Sequence, residues 1–169
     1  MKVIFSMSDD GRLCSWRAEL PKHRRFQGST MAARAGHTDL PHDLAQFVVE
    51  ITLGLEGGFW NLVANGATFK SLGRRRTKPG RRLIAAHRVA LNEAEKVVNA
   101  HVAAWRDGEP TPVGPALDAM VGRWRALPAG GELVVGWPTR RLPRASARVR
   151  RAPTQRRPGP LRPGRGLPK

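Results

Sequence analysis

Hydrophobic and polar positions alternate with two different periods along this chain, and the switch between them marks out its elements. Lys2 to Met7 alternates weakly and is rich in β-formers, Ser8-Asp9-Asp10-Gly11 is a turn signal, and Leu13 to Leu20 can run back. This pattern predicts a β-hairpin with a short loop. Lys22 to Gly36, with KHRR followed by small residues, reads as an exposed loop. A helix is predicted from Thr38-Asp39-Leu40-Pro41, where Thr38 or Asp39 can accept from the first orphan N–H groups and Pro41 suits the first turn. Leu44, Phe47, Val48, Ile51 and Leu55 then form its apolar face, and Gly54, Gly57 and Gly58 end it. Phe59, Trp60, Val63 and Ala64 suggest a short second helix.

Residues 70–82, KSLGRRRTKPGRR, read as a basic connector. The longest periodic segment follows, from Arg81 to Arg106, with Ile84, His87, Leu91, Ala94, Val98, His101 and Trp105 three and four apart. It predicts one amphipathic helix of about seven turns. Pro115 to Leu127 predicts another helix, Pro128 to Gly131 breaks it, and Glu132 to Trp137 predicts a strand closed by Pro138. A strand at each end of a helical middle implies that the last strand pairs with the hairpin while helices cover one sheet face. The expected fold is α+β: an N-terminal β-hairpin, a helical middle and a closing C-terminal strand over residues 1–138, followed by a disordered Arg/Pro-rich tail over 139–169.

Charge sharpens that boundary. The chain has 169 residues and a formal net charge of +17. Eleven Lys or Arg and no acidic residue lie in 139–169, leaving only +6 for the rest. Six prolines and no aromatic residue in the same stretch argue against a core there. Arg, Pro, Gly and Ala are also the residues of GC-rich codons. The tail therefore reads equally as a selected binding segment or as GC-rich DNA translated past a lost stop codon. One cysteine, Cys14, excludes an intrachain disulfide, and the MKVIFSMSDD start has too short an apolar run for a signal peptide. No stretch approaches the ~20 apolar residues of a membrane span. The expected location is the cytoplasm.

Two groups of residues could carry chemistry. The basic positions Arg74, Arg75, Arg76, Lys78, Arg81 and Arg82, with Arg140, Arg141, Arg150, Arg151, Arg156 and Arg157 in the tail, could neutralise phosphates of a nucleic acid or another polyanion without sequence preference. No aromatic residue is interleaved with them, so base stacking is not indicated. The second group is the stripe His42, Asp43, Gln46 and Glu50 on the first helix. Imidazole and carboxylate at i and i+4 can converge on zinc, but Gln46 is a poor ligand and no HExxH or CxxC is present. A solvated polar face is the simpler reading. His87 and His101, about 21 Å apart on a straight helix, cannot share an ion. Glu93 and Glu95 read as surface charges, and Cys14 as an inert thiol. No P-loop, dinucleotide fingerprint or GxSxG is found. These readings favour a non-catalytic polyanion-binding protein with no cofactor. The alternatives are a metal-dependent protein using His42, Asp43 and Glu50, and a partner-binding module using the 84–105 stripe.

Three stretches, LPHDLAQFVVE at 40–50, GFWNLVANGA at 58–67 and WRALPAGGELVVGWP at 124–138, resemble a family of uncharacterised small proteins from GC-rich bacteria. The resemblance covers about 40 through 138 and implies one domain ending at Pro138. It implies no catalytic residue. Histidine is common in that family where this chain has Gln46, so relatives would present His, His and Glu where His42, Gln46 and Glu50 stand here.

Overall fold

The hairpin forms where alternation places it. Strand β1 spans Lys2–Met7 and β2 spans Leu13–Leu20, antiparallel, with Phe5 opposite Trp16 and Val3 opposite Ala18. Val3, Phe5, Cys14, Trp16, Ala18 and Leu20 are buried on one face, as the period of two requires. The structure, a computed structural model, describes residues 1–10, 13–20, 24–31, 40–69, 77–138 and 142, with the backbone path alone over 24–31.

The expected loop at Lys22 to Gly36 is corrected over part of its length. Arg24–Met31 is a third strand, β3, paired antiparallel with β2. Its sequence RRFQGSTM lacks apolar alternation, so the strand is defined by its pairing with β2 and not by a period-two hydrophobic pattern. Strand β4, Glu132–Gly136, pairs antiparallel with β1, so the described sheet runs β3-β2-β1-β4. The closing strand thus lies beside the hairpin, as its place in the sequence implied.

Among the described residues, five helices intervene: α1 His42–Leu53, α2 Phe59–Ala64, α3 Lys78–Ala86, α4 Arg88–Arg106 and α5 Gly114–Arg125. They contribute Leu44, Phe47, Val49, Trp60, Val63, Val98, Val102, Leu117 and Trp124 to one core with the apolar sheet face. The opposite face carries ion pairs, Lys2–Glu19 and Arg17–Glu132, the latter bidentate at 2.7 and 3.0 Å.

Two details of the helices differ from expectation. Helix α1 begins at His42 with Pro41 as its cap residue and no side-chain cap hydrogen bond. Thr38 and Asp39 lie outside the described residues. The expected single helix from Arg81 to Arg106 is two helices, broken at His87, whose φ of −109° and ψ of 16° leave the helical region. Each piece has its own anchor. Thr77 caps α3 by accepting from Gly80 N–H, while Thr77 N–H donates to Thr68 Oγ1 at 3.1 Å. Gly80 packs so closely on Thr68 that a Cβ would overlap its hydroxyl. Helix α4 is held instead by Ala94, Val98 and Val102, buried in the core. The break lets the two pieces follow these separate anchors, and His87, as the residue that opens α4, still lies along the same helix as His101.

The 84–105 stripe, considered as a partner surface, thus spends its central residues on this chain's own core. Lys78, Arg81 and Arg82, expected in a connector, form the first turns of α3. No described helix is long and apolar enough to cross a membrane. The tail at 139–169 lies outside the described residues apart from Leu142.

Candidate functional site

A close-packed aromatic group ties α1 and α2 to the sheet and fixes the polar stripe behind it. Trp60 stands edge-on to Phe5, Trp16, Phe47 and Phe59, with ring centroids 4.7 to 5.6 Å apart. Such pairs stabilise beyond their buried area. Trp60 Nε1 donates to the Asp43 carbonyl at 3.2 Å, and Trp16 Nε1 donates to Asp43 Oδ2 at 2.8 Å. Asp43 therefore sits at the seam between β2, α1 and α2.

The stripe His42, Asp43, Gln46, Glu50 is not the solvated face its spacing suggested. His42 is exposed and Asp43 half-buried, but Gln46 and Glu50 are buried, Glu50 completely. Glu50 Oε1 accepts from Phe59 N–H at 2.9 Å and from Gln46 Nε2 at 2.8 Å, and Oε2 accepts from Trp60 N–H at 3.0 Å. The carboxyl group thereby caps α2, whose Gly58 start supplies no capping side chain of its own. Gln46 Nε2 also donates to Glu95 Oε1 at 2.8 Å, so one amide joins α1 to α4 and separates two acidic groups. Glu95, expected as a plain surface charge, is part of this network.

Burial pushes the Glu50 carboxyl up to about 8; the donors from Trp60, Gln46 and Phe59 pull it down, and the Glu95 charge raises it further. His42 is raised, first by its contact with Asp43 (Nδ1 to Oδ1, 3.2 Å). Burial pushes the Cys14 thiol up to about 12, helped by the Asp43 charge, which keeps it protonated and unreactive.

Chemically, the stripe is a clamp. Glu50 has no exposed surface for a substrate, and backbone and amide donors occupy its oxygens. Among the described residues no group of three or more His, Cys, Asp or Glu is placed to hold a metal ion. Where a cation would bridge Glu50 and Glu95, the Gln46 amide already does so. Gly58 is part of the clamp, since a Cβ there would overlap the Glu50 carboxylate. Gly58→Ala is expected to cost about 2–3 kcal/mol, because neither the backbone nor the buried acid has room to shift; chemical denaturation of the variant measures it.

The basic candidates divide in two. Arg74, Arg75, Arg76, Arg140, Arg141, Arg150, Arg151, Arg156 and Arg157 lie outside the described residues. Lys78, Arg81 and Arg82 are exposed on α3, and Arg88, which spacing did not single out, is exposed at the start of α4. At i, i+3 and i+4, Lys78, Arg81 and Arg82 share one face of α3. That face points away from the body, because Gly80 on the opposite side is buried. None of these four cations forms an ion pair among the described residues, whereas Lys2, Arg17 and Lys96 each have a carboxylate partner. Composition could reveal the run of charge but not the outward orientation, which depends on where α3 anchors.

No protein-family model, curated protein or solved structure matches this chain.

Proposed function

We propose that this is a cytoplasmic, non-catalytic protein that binds nucleic acid or another polyanion without sequence preference. The observation that carries the reading is the outward cationic face of α3, with Lys78, Arg81, Arg82 and neighbouring Arg88 exposed and unpaired among the described residues. Arg74, Arg75 and Arg76 directly precede it, and the tail adds Arg140, Arg141, Arg150, Arg151, Arg156 and Arg157. Binding would gain its free energy by releasing counterions from phosphates, one for each cation engaged. The acidic residues that might have served catalysis are committed elsewhere: Glu50 and Glu95 to the Gln46 bridge, Asp43 to Trp16. The proposal includes kinship with the family that the 40–50, 58–67 and 124–138 stretches resemble.

Replacing the six named tail arginines by glutamine in the full chain tests the tail's share. The slope of log Kobs against log salt is expected to become shallower by about 0.9 for each arginine engaged with a duplex. An unchanged slope would remove the tail from the binding surface.

A further inference from the structure

We infer that the outward face of α3 docks on the sugar–phosphate backbone of a nucleic-acid duplex in preference to a single strand. The inference rests on the polyanion reading above and narrows it to one ligand class. From Lys78 to Arg82 the helix rises ~6 Å. Within that length it presents three cations on one face, with only Ala85 added on the next turn, and Arg88 continues the charge beyond the His87 break. A duplex carries one phosphate charge per ~1.7 Å of axis, twice the density of either strand, so a compact group of cations releases more counterions there.

Single-strand binding relies instead on aromatic platforms for unstacked bases. From Lys70 to Ala104 the sequence contains no Phe, Trp or Tyr. Trp16, Trp60, Trp124 and Trp137 are buried in the core, and Trp105 donates its Nε1 to Asp118 at 2.9 Å. Among the described residues, the charged face of α3 carries no aromatic ring; Trp105, Phe59 and Phe69 are half-buried and lie outside that face, and the other described rings are enclosed. That division favours a ligand whose bases are already stacked and whose backbone faces outward.

The test uses the full chain and a variant carrying Lys78→Gln, Arg81→Gln, Arg82→Gln and Arg88→Gln. Each is titrated by fluorescence anisotropy against duplex DNA, duplex RNA and a single strand of equal length, over a range of salt. The wild type is expected to bind a duplex roughly tenfold more tightly than the single strand, and the duplex with the higher affinity identifies the source. The variant should lose that preference, and its salt slope on the duplex should fall by about 3 to 4. All four side chains are exposed, so its thermal midpoint should stay at the wild-type value, and a Lys78→Arg variant should bind like wild type. Equal affinity for duplex and single strand, or a duplex slope untouched by the four substitutions, overturns the inference while leaving polyanion binding through other residues intact. Absence of binding to any of the three at low salt overturns both.

Discussion

Trp60→Ala is expected to remove about 4–5 kcal/mol of stability, the largest single loss in this fold. Trp60 is fully buried, and its ring is the one that meets the sheet through Phe5 and Trp16, α1 through Phe47 and its own helix through Phe59. Truncation leaves a cavity lined by four aromatic rings that cannot all collapse inward, and also deletes the donor to the Asp43 carbonyl. Domains of this kind hold only about 5–15 kcal/mol in total. The thermal midpoint should therefore fall by roughly 10–20 °C. Trp60→Phe, which keeps most of the ring contact, should cost much less, about 1–2 kcal/mol. Similar losses for the two variants would mean that the hydrogen bond, and not the packing, holds this seam.

Glu50→Ala is expected to cost about 3 kcal/mol or more, because it orphans the buried N–H groups of Phe59 and Trp60 and frees one face of Gln46. Glu50→Gln is the informative companion. The folded carboxyl holds its proton up to about 8, against 4.5 for the free side chain. Between those values the folded chain binds more protons than the unfolded chain. The stabilisation from this group is therefore complete below about 4.5 and is lost as pH rises through about 8. Over that window the wild type should lose stability relative to Glu50→Gln by an amount on the order of 4 kcal/mol. His42, also raised, acts in the same direction in both proteins and cancels in the comparison. Parallel urea titrations across this range measure the difference, and a difference independent of pH would show that Glu50 is ionised in the folded chain at all these values.

The parts of the fold that could be read in advance were those whose apolar pattern is also their burial pattern. Cys14, Trp16, Ala18 and Leu20 alternate with polar residues in the sequence and alternate in burial along β2, while β1 buries Val3, Ile4 and Phe5 in a row. Leu44, Phe47 and Val48 repeat at helical spacing and are buried together. Strand β3 escaped because Arg24–Met31 is defined by its pairing with β2, and pairing across a gap leaves little mark on a polar edge sequence. The Glu50 clamp escaped for a related reason. Polar residues four apart on a helix look solvated unless something demands a buried acceptor. That demand was present in Gly57-Gly58-Phe59-Trp60, a helix start with no Ser, Thr, Asp or Asn to cap it, but the local sequence does not show which distant acceptor meets it. The break at His87 was hidden because the three-four apolar spacing continues through it, whereas the packing of Gly80 against Thr68, which anchors α3 apart from α4, leaves no mark in that spacing.

The functional account turns on whether the exposed cations of α3 and the start of α4 meet phosphate. The most direct measurement is the association constant of the full chain with two duplexes of unrelated sequence, followed from about 50 to about 200 mM salt. The account predicts two coincident lines that fall steeply as salt rises. Lines that are flat in salt, lines that separate by sequence, or no association at the low end would contradict it.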